Sequence, residues 1–239
     1  MNCNLKSFGV FSGLIIMLLS CNTVNYKMSN TIEQRIIFPQ YQVQYDAQTR
    51  QFEATVYFTV DNPSGLSVKL SEKSSITFNG MPLNLEQDDS LKRYFYRFTM
   101  DTLPKLLQFS YTNDEGTTFE NNLSMNKLEI NSGNTITISK SVGAVLNYSG
   151  KSIINNDDTE ETVSCQLYQQ GKEPFYFTID VFDNQQISIK NEMIYDVPTG
   201  KYECRFVREM SNSDIKAMDR GGLITSSYLS KTYTLIITD

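Results

Sequence analysis

Between Gln51 and Asp61 the chain alternates without a fault: Phe52, Ala54, Val56, Phe58 and Val60 on one side, Glu53, Thr55, Tyr57, Thr59 and Asp61 on the other. A helix returns its apolar positions every three or four residues, so a period of two sustained this long defines a strand, half in a core and half outside it. Turn formers bracket the run: Asp46-Ala47-Gln48-Thr49-Arg50 before it, Asn62-Pro63-Ser64-Gly65 after it. Upstream, Tyr41, Val43 and Tyr45 alternate with Gln42, Gln44 and Asp46, which makes the two runs consecutive strands around a turn.

The same pattern continues in shorter pieces. Strands are expected at 67–70, 75–78, 94–100, 106–111 and 117–123, with turns at Asn79-Gly80 and Asn113-Asp114-Glu115-Gly116 and a short helical link around Pro104. A soft boundary falls at Asn131-Ser132-Gly133-Asn134. A second set follows at 135–139, 143–148, 162–168, 175–182, 186–190, 201–208 and 231–238, with the polar run 155–161 as a solvated loop. Strands at ~8–12-residue spacing with Gly and Asn punctuation argue for sandwiches. The 14 Tyr and 14 Phe, with no Trp, suit amphipathic strands. The expected fold is all-β, with one sandwich over 32–131 and a second over 132–239.

Composition removes several chemistries. The chain has no histidine, so neither a Ser-His-Asp nor a Cys-His pair can be assembled, and a histidine-ligated zinc is equally impossible. Carboxylate pairs and Ser-Lys chemistry survive the count, but no motif supports either. The net charge is −6 and no basic run exists, which argues against a nucleic-acid partner and against electrostatic docking on anionic lipid. The acidic runs Asp157-Asp158/Glu160-Glu161 and Glu86/Asp88-Asp89 lack EF-hand spacing and read as solvated charge. No cofactor and no metal are expected, and the chain is read as a non-enzyme.

Of the four cysteines, Cys165 and Cys204 sit in strand patterns. Val163, Cys165 and Leu167 share one face; Tyr202, Cys204 and Phe206 share another. Both sulfurs therefore point into a core, and a disulfide between facing strands is expected; closing a loop of about 40 residues stabilises by ~4 kcal/mol in the chain-entropy picture. The stretch Asp196-Val197-Pro198-Thr199-Gly200-Lys201-Tyr202-Glu203-Cys204 resembles the D-x-G-x-Y-x-C segment of immunoglobulin-like domains, with Asp further from Gly than usual and Phe175 and Phe177 where those domains place Trp. The resemblance implies that Tyr202 bonds back to the corner backbone. It makes the expected sandwiches immunoglobulin-like or fibronectin-like.

The N-terminus carries an address. Residues 1–7 hold one cation, Lys6, and no acid; residues 8–19 are almost wholly apolar and reach only about 20 Å as a helix, short of a ~30 Å hydrocarbon core. That describes an export signal. Its end, Leu18-Leu19-Ser20-Cys21, resembles the bacterial lipobox, which implies cleavage after residue 20, diacylglycerol on Cys21 and a polar tether over 21–31. Asn22 in place of Asp suggests the outer membrane, and the lack of acids after Cys21 favours its periplasmic face over the cell surface. Tyr41-x-Val43-x-Tyr45-Asp46, Ser75-Ile76-Thr77-Phe78-Asn79-Gly80, Phe109-x-Tyr111-Thr112-Asn113-x-x-Gly116, Leu146-x-Tyr148-x-Gly150 and Gly221-Gly222 before Ser227-Tyr228 resemble two-domain lipoproteins of Bacteroidota-type bacteria. That resemblance implies no activity.

The longest expected connection, 209–230, holds the candidate ligand contacts Asp214, Asp219, Arg220 and Tyr228, with Ser213 capping a helical turn over 214–220 that ends at Gly221-Gly222. Outward tyrosines Tyr57, Tyr176 and Tyr233 are candidate sugar platforms. The sequence thus points to a lipid-anchored envelope protein with a structural or interaction role. Strand-addition adhesin and glycan-binding module stand as alternatives. Expected partners are the membrane, through the lipid, and an envelope protein or glycan.

Overall fold

The computed structural model describes residues 25–151, 159–182 and 185–239. The export segment 1–20, Cys21 and residues 155–158 of the polar run lie outside the described residues. The described chain is all-β, arranged in several sheets.

First come β1 (Tyr26–Met28), β2 (Ile37–Asp46), β3 (Gln51–Val60) and β4 (Ser67–Lys69). The two alternating runs pair antiparallel along their whole length, from Ile37 against Val60 to Asp46 against Gln51. Their turn is closed by the Asp46 carboxylate, which accepts from the Gln48 and Thr49 amides at 2.8 and 3.1 Å. The expected tether is shortened, because β1 lies parallel to β4 with Tyr26 against Ser67. Just beyond it Ser29 is fully buried, its hydroxyl accepting from the Ser71 amide at 2.8 Å. From Tyr26 onward the chain belongs to the fold.

Next follow β5 (Ser75–Phe78), β6 (Met81–Pro82), β7 (Asn84–Asp88), β8 (Arg93–Met100), β9 (Gln108–Thr112) and β10 (Thr118–Asn122). The β7–β8 hairpin adds to the other flank of β3, Phe52 against Met100. Strands β10-β9-β5-β6 form a second sheet. Asn79 and Gly80, with φ of 49° and 78°, supply the left-handed pair that a tight two-residue hairpin needs. No helix forms around Pro104, where the ring fixes φ and disfavours helical backbone before it. The two sheets close on rings: Phe52 stacks on Phe78 at 5.3 Å, Tyr41 meets Phe109 at 4.9 Å and Phe58 meets Tyr111 at 4.7 Å.

The C-terminal unit contains β11 (Glu129–Ile130), β12 (Thr135–Ser139), β13 (Ala144–Ser149), β14 (Thr159–Tyr168), β15 (Phe175–Phe182), β16 (Gln186–Ile189), one helical turn α1 (Asn191–Ile194), β17 (Gly200–Asn212), β18 (Leu223–Leu229) and β19 (Tyr233–Thr238). Strand β17 is its spine. One flank pairs with β14; the other pairs first with β19 and then, past Arg205, with β18. β15 starts against β14 and ends against β16, which carries the sheet round to β13 and β11. The core holds mostly aliphatic side chains, with Cys165, Leu167, Cys204 and Phe206 fully buried.

Four further expectations need correction. The run 155–161 is not all loop: β14 begins at Thr159, and Glu161 is buried against Arg208 instead of solvated. The span 209–230 is not a long loop: β17 runs to Asn212 and β18 resumes at Leu223. Residues 214–220 form bends and a turn instead of a helical turn, with the Gly221 amide donating to the Met218 carbonyl. Cys165 and Cys204 do not face each other across a sandwich. They lie on neighbouring strands of one sheet, where the register sets Cys165 against Phe206 and Leu167 against Cys204. That diagonal leaves their sulfurs 3.6 Å apart as free buried thiols, against the ~2.05 Å of a bond. The tyrosine expectation holds: the Tyr202 hydroxyl donates to the Pro198 carbonyl at 2.7 Å.

The two units share a sheet. β18 lies parallel along β2 from Leu223 against Gln40 to Leu229 against Asp46, so the ten-residue β2 has a partner on both flanks. Ile224, Ile215 and Met218, from the second unit, pack in the first unit's core.

Candidate functional site

The four residues singled out in 209–230 are not gathered by the fold. Asp214 and Asp219 are exposed. The Arg220 guanidinium pairs with Asp61 at 3.0 Å on the surface. Tyr228 is buried, its ring 5.7 Å from Tyr45 and its hydroxyl 3.4 Å from the Glu129 carboxylate; burial, then the nearby Glu129 charge, pushes its phenol up. Of the three tyrosines, Tyr176 is exposed, Tyr57 stacks on Phe95 at 5.6 Å, and Tyr233 is in the core with its oxygen accepting from the Ile130 amide. Tyr233 faces inward, against expectation, because alternation gives two faces and not which one is inside.

What the shared sheet does gather is its own outer face. Successive side chains of a strand point to opposite faces, so register alone aligns outward residues into rows across the strands. One row runs Glu53, Gln44, Ser227, Glu209, Thr162; the next runs Thr55, Gln42, Thr225, Ser211, Glu160. Each row crosses β3, β2, β18, β17 and β14, and so passes from one unit to the other without a break. Together they line a cleft of about 440 Å³. The opposite faces of the same strands supply Tyr41, Val43, Ala54, Val56, Ile224 and Val163 to the cores. The alternation that builds the cores therefore also builds this surface.

The cleft's electrostatics are lopsided. No lysine or arginine lines it, while Glu53, Glu160 and Glu209 do. Arg97 on β8 binds Glu53 at 2.6 Å and Glu86 at 3.5 Å, which quiets the β3 end. Thr55 donates to Glu53 at 3.1 Å. Glu160 and Glu209 form no ion pair with a described residue. Glu53 and Glu209 are three strand intervals apart, about 14 Å, beyond the ~5–9.5 Å of paired glycosidase carboxylates, whereas Glu160 and Glu209 are diagonal neighbours on β14 and β17, about 7–8 Å apart and within that range. Among the described residues no group of three or more His, Cys, Asp or Glu is placed to hold a metal ion.

Two arginines of β17 hold the cleft's walls. Arg205 is bidentate on Asp46, at 3.1 and 2.7 Å, and also donates to the Ser230 carbonyl, so it ties the β2–β3 turn to the C-terminal unit. Burial pushes the Asp46 carboxyl up, but the bonds from Arg205 and from the Thr49 and Gln48 amides outweigh it and hold its pKa below the usual carboxylate value. Arg208, on the inner face, pairs with Glu161 at 2.7 Å and donates to the Lys127 and Lys151 carbonyls. Asn121 locks the connection from outside, exchanging two hydrogen bonds with the Lys216 backbone at 2.9 and 2.8 Å.

Compared with known proteins, the chain matches no family model and no curated protein. Among solved structures it is similar at 9% identity and a TM-score of 0.26 to the plexin A4 extracellular region, over 85% of this chain and 25% of that one. It is similar at 8% identity and a TM-score of 0.21 to Dpr11 IG1 bound to DIP-gamma IG+IG2, over 84% and 99%. Human mucin-like protocadherin EC1-2 follows at 12% identity and 0.19, over 85% and 100%. The chain spans about a quarter of the plexin's length. Likenesses this distant carry no conclusion about fold or function.

Proposed function

We propose that this protein is a non-enzymatic, lipid-anchored interaction protein of the bacterial cell envelope, held through Cys21 in the outer membrane and facing the periplasm. Its two units are read as immunoglobulin-like sandwiches, on the strength of the Tyr202–Pro198 corner bond, although the shared sheet and the neighbouring cysteine strands depart from that pattern. The observation that carries the interaction reading is the cleft: two unbroken polar rows built jointly by both units. A polar face that crosses a junction needs the two halves held in register, and β2–β18 pairing supplies that.

The anchor sharpens the picture. Four residues lie between Cys21 and Tyr26, so five Cα steps reach at most ~18 Å. An acylated Cys21 therefore holds the fold close against the bilayer. Strand addition is the second reading, with β10 and β6 as the edge strands of the second sheet.

Labelled palmitate should enter the protein, and Cys21→Ala should release it from membranes. With the lipid absent in Cys21→Ala, purified protein should still be retained on immobilised cell-envelope material, and Thr225→Arg, which places a bulky cation in mid-cleft, should abolish that retention. Turnover of an envelope polymer that is lost in Glu160→Gln or Glu209→Gln would overturn the non-enzymatic reading.

A further inference from the structure

We infer that the cleft's ligand is a linear glycan free of carboxylate and sulfate groups, lying across the strands from the β3 side to the β14 side. This rests on the cleft being the interaction surface and adds the class of ligand.

Three features of the cleft select that class. The first is its supply of hydrogen bonds. Gln42 and Gln44 each present an amide with donors and an acceptor, and Ser211, Thr225 and Ser227 present hydroxyls that serve as both. None of these five side chains spends a hydrogen bond on a described protein group, so the capacity faces outward. Positions along each row are set by the strand spacing of ~4.8 Å, close to the length of one pyranose ring with its linkage. Five strands thus offer a chain of about four sugars repeated hydroxyl partners in two parallel lines.

The second is charge. With no cation among the described residues of the lining, and with Glu160 and Glu209 in no ion pair with a described residue, a polyanion would be repelled along the β17–β14 half. This excludes uronate-rich and sulfated chains, and nucleic acid. The third is what is missing. Peptide recognition relies on apolar or aromatic anchors seated in pockets, and the two rows contain none. The Tyr57–Phe95 stack lies on the same outer face, one outward position along β3 from Thr55 and so beside the rows, which themselves continue onto β8 at Thr99 and Arg97.

The test uses the full-length protein in detergent. It is titrated with linear hexasaccharides of glucose, of N-acetylglucosamine and of galacturonate, with hexalysine as the peptide probe. Binding of a neutral hexamer is expected, with the galacturonate hexamer silent. Gln42→Ala/Gln44→Ala should weaken that binding roughly tenfold or more, as expected for several lost neutral hydrogen bonds, while leaving the urea midpoint unchanged. Equal binding of galacturonate, or binding of hexalysine alone, overturns the glycan assignment. If no hexamer binds but Thr225→Arg still abolishes retention of the Cys21→Ala protein on envelope material, the glycan assignment falls and the interaction reading stands. If Thr225→Arg changes nothing, both fall.

Discussion

Arg205 and Arg208 stand three residues apart on one strand and point to opposite faces of it. Arg205 reaches outward to Asp46 and is 18% exposed, its partner 19%; Arg208 turns inward to Glu161 and the two are 1% and 2% exposed. The first pair keeps some hydration and clamps two units together. The second has given up its water and must be fully compensated by protein: Arg208 also donates to two carbonyls, Asn126 donates to Glu161 at 3.1 Å, and the Tyr148 ring lies 5.9 Å from the guanidinium carbon. The same chemistry is an adjustable fastening on one face of the sheet and an all-or-nothing one on the other.

The sharpest way to break that contrast is to remove one member of the inner pair. Arg208→Met strands a buried carboxylate, and Glu161→Gln strands a buried guanidinium; either should cost about 3–5 kcal/mol in urea unfolding. The double variant Glu161→Met/Arg208→Met should recover part of that loss, because no naked charge remains. If each single variant unfolds within about 1 kcal/mol of the parent, the inner pair is not the all-or-nothing fastening described here.

The inner network also fixes backbone. Gly150 has φ +148°, and a Cβ there would sit 2.2 Å from the Lys127 carbonyl oxygen, the same carbonyl that accepts from Arg208. Gly150→Ala should therefore destabilise by roughly 1–3 kcal/mol. The loss should shrink in the Arg208→Met background, since the two lesions act on one cluster and do not add.

The outer pair should show itself through pH. The Asp46 carboxyl titrates lower in the fold than in the unfolded chain, so its contribution is complete above the unfolded value of ~4 and fades as pH falls through the lower folded value. Arg205→Met removes the strongest of the bonds that lower it. The variant should lose about 1 kcal/mol at pH 7, and its stability should fall less steeply than the parent's below pH 4. Parallel acid limbs would mean that Asp46 gains nothing from Arg205.

These contrasts mark where sequence reading succeeds and where it runs out. Alternation is local, so 75–78, 135–139 and 175–182 are found to the residue. β18 leaves no such mark: its burial alternates, but its residue types do not, with Ser226 turned inward and Leu223 and Leu229 outward, and Gly221-Gly222 before it suggests a loop. Its partner β2 lies some 180 residues earlier, and a parallel pairing over that distance leaves no local mark. The cleft was invisible for the same reason: Gln42, Thr225, Ser211 and Glu160 become neighbours only through that register. Cys165 and Cys204 point inward as their patterns require, but pattern does not distinguish facing strands from adjacent ones.

The smallest effect tests the outer face as a surface free of structural duty. Ile224 and Thr225 are consecutive on β18; Ile224 packs in the first unit's core, and Thr225 opens on the cleft. Thr225→Arg should move stability by no more than about 0.5 kcal/mol, since its side chain makes no hydrogen bond with a described residue and two carboxylates of the lining can receive the new charge. Ile224→Ala, one residue away, should cost about 2–5 kcal/mol by opening a cavity between the units. The ratio of the two losses measures how completely the sheet separates holding the fold from offering a surface. A costly Thr225→Arg would mean that the outer rows pack against something and are not available to a ligand.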